Sequence, residues 1–371
     1  ILALFYFSRG LDTFQIVSLE AVLIIAVLFS EVPTGIIADK IGRKFSLSFL
    51  MLLLIIGNIW TIFAYSYYEF IIIQVLFGIG IAFGSGAIEA LVYDALKYQK
   101  REKEMSKIWG SINSYSLIGI VIAIATGGYL ARSHDPNTFV LLIWLFTFGA
   151  IIAFIISLFI TERKHQKKIK EVSPLILFKE STAHILKNKS LRRIIYLSLF
   201  TLPFYHIIMF LFQPYFLIAG VPNALWGISM AGGSLLGALL IKYAYKIEEK
   251  IGMKKTIFLT TILPGIFYLA MAFIIGPALS FIWYLLLRGT SILRDPLFSQ
   301  YQNDHIESHN RATVLSVISM IVSAYLAIMN LVIGSIANKN LITSFIVMGV
   351  IIVIGAIVFR INENDVVRVE S

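Results

Sequence analysis

Charges are spaced so widely along this chain that few folds can accommodate it. Between consecutive charged residues lie 24 residues at 45–68, 19 at 70–88, 24 at 108–131, 26 at 136–161, 48 at 194–241, 32 at 256–287, 27 at 312–338 and 20 at 340–359. An α-helix rises about 1.5 Å per residue, so about 20 apolar residues cross the hydrocarbon core of a bilayer. The windows run apolar throughout, without the alternation of a membrane barrel. Lipid offers no partner to an open strand edge, so the windows are predicted to be helices. Charged residues make up 14% of the 371 residues, against about 25% in soluble proteins. That is too few to cover a water-facing surface, which excludes an ordinary soluble enzyme and a disordered chain. With no cysteine, disulfides, iron–sulfur clusters and thiol chemistry are excluded too.

Turn signals divide the two longest windows, at Gly220–Val221–Pro222–Asn223 and at Gly276–Pro277. Twelve spans result, at about 1–9, 14–34, 45–66, 69–95, 105–131, 138–161, 192–219, 223–246, 254–275, 278–300, 310–337 and 341–361. Only Ile1–Ser8 precede the polar turn at Arg9–Asp12. That is too short to span, so the first helix is expected to be truncated and to start upstream. Lys and Arg set the orientation. Of 31, 26 fall in loops on one side of this arrangement, three (Arg9, Arg132 and Lys339) on the other, and Arg288 and Arg294 within a span. The positive-inside rule then places the rich side and both termini in the cytoplasm of a multi-pass cell-membrane protein. The net charge of +10 reads as a topology signal; a nucleic-acid surface would not alternate so regularly with apolar spans.

The basic segment 162–190 separates two sets of six spans: a bundle over 1–161, a second over 191–361, and a tail over 362–371. Leu175, Phe178, Ile185 and Leu186 recur within it at roughly helical spacing. It is expected to hold a helix lying along the membrane interface, or else to be a solvated linker.

Between spans two and three stands Gly35-Ile-Ile-Ala-Asp39-Lys40-Ile-Gly42-Arg43-Lys44. A worn copy follows span eight, Tyr245-Lys-Ile-Glu-Glu249-Lys250-Ile251-Gly252-Met253-Lys254, 210 residues later. Two parallel repeats of six helices would produce this spacing. The chemistry of the first copy suggests its role. Gly35 and Gly42 permit close approach and a tight turn. Asp39 offers an acceptor near the start of span three, where the helix dipole favours negative charge. Arg43 presents a planar fork to a carboxylate, and Asp94, at the end of span four, is the expected partner.

With its hallmark loop G-x-x-x-D-[RK]-x-G-R-[RK] complete, the chain resembles the major facilitator superfamily along essentially its whole length. Glu31-Val-Pro33-Thr-Gly35, Ser85-Gly86 with Tyr93-Asp94, Leu293-Arg294-Asp295-Pro296 and Arg311-Ala312-Thr313-Val314-Leu315-Ser316 are similar to a prokaryotic branch labelled as permeases or drug exporters. The resemblance implies an all-α membrane protein of twelve transmembrane helices in two pseudo-symmetric six-helix bundles. It also implies a loop cluster of Gly35, Asp39, Lys40, Gly42, Arg43, Lys44 and Asp94 that latches the halves when the outer gate is open. Two features depart from the proton-driven exporters. Gln74 holds the place of an Arg four residues before Gly78, and the stretch ending Gly127-Gly128 lacks their proline.

An ionisable side chain at mid-bilayer costs about 2.5–3.5 kcal/mol on insertion scales. Glu89 and, less strongly, Glu20 are candidates for proton coupling, because a buried carboxylate can take up and release protons as access alternates. Glu20 is expected to pair with Arg9. Glu31, Arg294 and Asp295, near cytoplasmic helix ends, read as a gate network. Arg288, near mid-depth, is the candidate to bind an anionic substrate group. Asn113, Gln213, His206 and Tyr205 are further candidates for a central cavity. Aromatics of spans seven and ten, among them Phe204, Phe212, Tyr215, Phe216, Trp283 and Tyr284, would suit lipophilic cargo.

No phosphate-binding loop, metal motif, nucleophile elbow or pore filter occurs. A carrier is therefore favoured over an enzyme or a channel. The expected partners are a small-molecule substrate, protons and the lipid bilayer, with no cofactor, no nucleic acid and a monomeric chain. Efflux of lipophilic compounds against protons is the first reading. Proton-coupled uptake of a small polar or anionic metabolite is the second.

Overall fold

The computed structural model describes residues 2–101, 104–130, 136–162, 185, 188–304, 306 and 311–360. Every regular element among them is a helix: α1 (Leu2–Ser8), α2 (Thr13–Ile41), α3 (Arg43–Phe63), α4 (Tyr67–Gly84), α5 (Ala87–Tyr98), α6 (Met105–Leu130), α7 (Pro136–Phe159), α8 (Lys189–Leu199), α9 (Leu202–Ala219), α10 (Ala224–Ile251), α11 (Met253–Phe273), α12 (Pro277–Asp304), α13 (Arg311–Lys339) and α14 (Leu341–Val358). Nine stretches among the described residues are long and apolar enough to cross a membrane.

Local chemistry starts and stops these helices. The Asp12 carboxylate accepts from the Gln15 amide at 2.7 Å, and the Gln15 side chain accepts from the Asp12 amide at 3.0 Å. This reciprocal box satisfies donors that the first turn of α2 leaves open. Asn188 and Asn340 cap α8 and α14 through the amides of Leu191 and Thr343, each at 3.0 Å. Gly220, at φ 69°, ends α9, where the Val221 amide reaches back to the Phe216 carbonyl at 2.9 Å.

Two predicted spans are broken helices. Span four divides at Ser85–Gly86, where Gly86 adopts φ 70°, so α4 and α5 are separate helices. Span seven divides at Phe200–Thr201, because Pro203 has no N–H to continue the ladder from Leu199.

The chain forms two compact units, Ile1–Ile169 and Lys170–Ser371. In the first, α2 packs on α4, and α3 packs on α4 and α7. In the second, α10 packs on α12, and α11 packs on α12 and α14. The two packing patterns match helix for helix. Arg43 begins α3 and Met253 begins α11, 210 residues on, and each follows a glycine at positive φ, 133° at Gly42 and 82° at Gly252. Glycine adopts that backbone without a side-chain clash, so both copies of the loop turn sharply between successive helices.

At one end of the second unit Ile185, Leu191, Ile194, Tyr301, Ile306 and Val314 form a buried cluster. Ile185 thus joins the second unit's core, while residues 163–184 of the basic segment, with Leu175 and Phe178, lie outside the described residues, as does Leu186.

Candidate functional site

The hallmark loop organises the basic end of the first unit. Because Gly42 turns the chain directly from α2 into α3, the first amides of α3 point outward unpaired. The carboxylate of Glu162, just beyond α7, accepts from the amides of Arg43 and Lys44, both at 2.8 Å. The helix dipole adds to the attraction. A Cβ on Gly42 would meet Glu162 Oε2 at 2.6 Å, so a larger residue would push the carboxylate aside as well as strain the turn at φ 133°. Lys44 Nζ donates to the Leu158 carbonyl at 2.7 Å, which ties the start of α3 to the end of α7 a second time. Arg43 reaches the other way. Its Nη1 donates to the Ala90 carbonyl at 2.9 Å and pairs with the Asp94 carboxylate. One residue step in the loop therefore links α3, α5 and the end of α7.

Sequence reasoning placed Asp39 as the acceptor at the start of α3. The structure gives that place to Glu162; Asp39 is exposed three residues before the turn, as is Lys40 beside it. Glu162 was missed because it lies about 120 residues away in sequence, and only the packing of α3 on α7 brings it in. Its one sequence signal was being the first charge after the 26-residue window at 136–161. Gly35 is exposed on α2 with open space around its Cα. A cavity of about 290 Å³ opens beside the cluster, lined by Leu91, Asp94, Tyr98, Gln99, Thr161 and Glu162 among others.

Other first-unit candidates separate by burial. Glu89 was expected to be deep within span four. The break at Gly86 puts it instead in the first turn of α5, exposed. Glu31 is likewise exposed on α2, with no side-chain hydrogen bond or ion pair among the described residues. Glu20 is half-buried on α2 with no hydrogen bond or ion pair among the described residues, close enough to Tyr6 to act on its hydroxyl. It does not pair with Arg9. The Arg9 guanidinium donates to the Ile62 carbonyl at 2.8 Å and lies 4.0 Å from the Tyr65 ring centroid. Those partners draw it toward the end of α3. Gln74 is buried and donates to the Tyr6 hydroxyl at 3.3 Å, so the residue in the exporters' arginine position ties α4 to α1. Asn113 lies on α6, and its side chain is outside the described residues.

The second unit buries an arginine. Arg288 on α12 is 9% exposed. Its Nε donates to the Met230 carbonyl at 3.2 Å and to Ser234 Oγ at 3.1 Å, and its Nη1 contacts Met209 Sδ at 2.8 Å. Gly233 on α10 makes room for the stem, since a Cβ there would lie 2.9 Å from Arg288 Cβ and Cδ. Among the described residues no carboxylate pairs with it. A carbonyl, a hydroxyl and a thioether solvate a guanidinium weakly, because none carries a negative charge. Gln213, one turn along α9 from Met209, is 4% exposed, and its carboxamide oxygen has no partner. Tyr284, one turn before Arg288 on α12, is fully buried, and its hydroxyl lies beside the Arg288 guanidinium and near Tyr205.

Of the aromatics expected to line a lipophilic cavity, Phe212, Tyr215, Phe216 and Tyr284 pack on one another, and Trp283 stacks on Phe267. Tyr284 stacks on Phe212 at 4.9 Å and meets Phe216 edge-on at 5.3 Å. The Tyr215 hydroxyl donates to the Met271 carbonyl at 2.8 Å and lies 2.7 Å from Ser280 Oγ. Phe204, Tyr215, Phe216 and Tyr284 have no exposed surface, because each ring's faces are used by its neighbours. Tyr205 and His206 are half-buried at the start of α9, their rings 5.7 Å apart. Arg294 is buried; it bonds the Thr201 hydroxyl and lies 4.8 Å from the Phe298 ring. It thereby bridges the break in span seven. The Asp295 side chain is outside the described residues.

Residues 1–324 match the family model of the Major Facilitator Superfamily. The chain belongs to that superfamily. It is a multi-pass membrane protein with the twelve-helix, two-bundle fold that defines the class. A curated relative, the Uncharacterized MFS-type transporter YxaM of Bacillus subtilis (strain 168), is 25% identical over 99% of this chain and 93% of that one. Among solved structures the fold resembles the nucleoside transporter NupG, with a TM-score of 0.77, 16% identity, and coverage of 96% of this chain and 92% of that one. It also resembles the POT family transporter PepTSo, with a TM-score of 0.67, 15% identity, and coverage of 92% and 88%.

Losing the cap on α3 should cost about 1 kcal/mol, as capping residues generally do. Thermal unfolding of the detergent-purified protein is expected to show a lower midpoint for Glu162→Ala and an unchanged midpoint for Asp39→Asn. Equal losses in the two variants would return the capping role to Asp39.

Proposed function

We propose that this protein is a secondary active transporter that takes up a small organic anion with protons by alternating access, with Arg288 as the anchor for the anion. The observation that carries this reading is the burial of Arg288 with no carboxylate paired to it among the described residues. A buried charge of that kind costs several kcal/mol unless an opposite charge arrives, and a substrate anion would supply it. Efflux of lipophilic compounds, the first reading from sequence, drew on the resemblance to drug exporters and on aromatics of which Phe212, Tyr215, Phe216 and Tyr284 pack within the second unit. The anion reading therefore takes precedence.

Glu20 is our choice for the coupling group. It is a half-buried carboxylate with no ion-pair partner, whereas Glu89 lies exposed. Arg43, Asp94 and Glu162 would form a clasp at the basic loop that favours one access state; we place that loop and both termini in the cytoplasm, on the strength of the Lys and Arg asymmetry. The chain would act as a monomer in the cytoplasmic membrane.

Three measurements test this reading. A panel of small carboxylates, nucleosides and lipophilic cations should contain carboxylates that raise the unfolding midpoint of the wild type and leave Arg288→Ala unmoved; saturating ligand at a hundred times its Kd adds about 2.7 kcal/mol. Stabilisation by lipophilic cations alone would reject the reading. In proteoliposomes with an imposed pH gradient, Glu20→Gln should abolish uphill accumulation of the stabilising carboxylate while retaining exchange; retained accumulation removes Glu20 from coupling. Since the chain has no cysteine, Lys40→Cys provides a single thiol. In intact cells it should resist a membrane-impermeant maleimide and react after permeabilisation, and labelling of intact cells would invert the topology.

A further inference from the structure

One buried polar group near Arg288 remains unexplained by an anion alone. Met209 touches Arg288, Phe212 and Phe216 touch Tyr284, and Gln213 lies among them on α9. Positions 209, 212, 213 and 216 follow the spacing of one helix face, so the Gln213 carboxamide sits on the face that meets α12 between the levels of Arg288 and Tyr284. Its oxygen is buried without a partner among the described residues, while the Tyr284 hydroxyl lies beside the Arg288 guanidinium. More than nine in ten buried polar groups in proteins are satisfied, and an orphan costs about 1–3 kcal/mol. An orphaned acceptor one helical turn from the methionine that touches a buried cation, with a tyrosine hydroxyl beside that cation and packed aromatics around, forms a set of complementary groups: a cation, an acceptor, and a hydroxyl that can donate or accept.

We infer that the site selects organic anions that also carry a hydrogen-bond donor, in the manner of a hydroxy- or aminocarboxylate. The carboxylate is held by Arg288 and the donor is accepted by the Gln213 carboxamide oxygen. This rests on the anion reading above and adds the second recognition element. The separation follows from helix geometry. Gln213 is four residues beyond Met209, about 6 Å along the axis, so the donor belongs a few bonds from the carboxylate rather than at the far end of a long molecule. A site built to bond a donor rejects analogues lacking it, because its own acceptor would then stay buried and unpaired. Gln213 is thus a specificity-determining residue, distinct from the anchor.

The test uses the purified full chain and isothermal titration with butyrate, its β- and γ-hydroxy derivatives, γ-aminobutyrate and neutral butanamide. In the wild type, at least one hydroxy or amino derivative should bind about tenfold or more tighter than butyrate, and butanamide should not bind. Gln213→Leu, of similar size, should bring the derivatives to within about twofold of butyrate while butyrate affinity holds. Gln213→Glu, which keeps an acceptor, should retain a preference for γ-aminobutyrate and shows whether loss in the leucine variant is more than misfolding. Equal binding of butyrate and its derivatives by the wild type, or unchanged discrimination in Gln213→Leu, would overturn this inference and leave the anion reading intact. Carboxylate binding that survives Arg288→Ala, or no binding by any carboxylate in the panel, would overturn the anion reading and this inference with it.

Discussion

In hydrocarbon a backbone amide has no water to bond, so each crossing segment must satisfy its own ladder. That constraint turns every long apolar window of this chain into helix, and it concentrates structural interest where the ladder is interrupted. The sharp turn at Gly42 is one such place. It leaves the first amides of α3 open, and Glu162 fills them from the far end of α7. The break at Thr201 is another, where Arg294 bonds the threonine hydroxyl. At both, a charged side chain bonds a polar group at a helix end.

The same low-dielectric interior gives Arg288 its weight. A guanidinium among a carbonyl, a hydroxyl and a thioether has geometry without charge compensation. The glycine at 233 shows that the fold accommodates it deliberately, since any larger residue there would collide with its stem. Aromatic packing around Tyr284 fixes the orientation of the surrounding helices, so the polar groups of the second unit are set on a rigid wall. In the first unit the polar side chains of Tyr6, Gln74 and Glu20 are a separate group, carried by α1, α4 and α2.

Duplication supplies the frame for this division of labour. The two units repeat the same helix pairings, yet they have diverged in charge. The first keeps a full basic loop with Arg43 paired to Asp94. The second keeps Glu249, Lys250, Gly252 and Lys254 and the reversal of the chain, but has Met253 where the first has Arg43. The first unit's loop thus holds an interaction that its counterpart lacks, and the second unit holds the buried arginine.

The sequence by itself determined the helical class, the membrane environment, the family and the repeat, because these follow from the spacing of charges and from a loop whose residues are adjacent in the chain. It also identified Arg43 with Asp94, and Arg288 with Gln213, as groups needing an explanation. Tertiary structure alone decided which of them meet. Glu162 reaches Gly42 only through the packing of α3 on α7. Glu89 is exposed only because Gly86 ends α4 before it. The aromatics of α9 and α12 are core only because their faces close on one another. Local pattern reports the cost of placing a group in lipid; which partner offsets that cost depends on helices brought together from far apart in the chain.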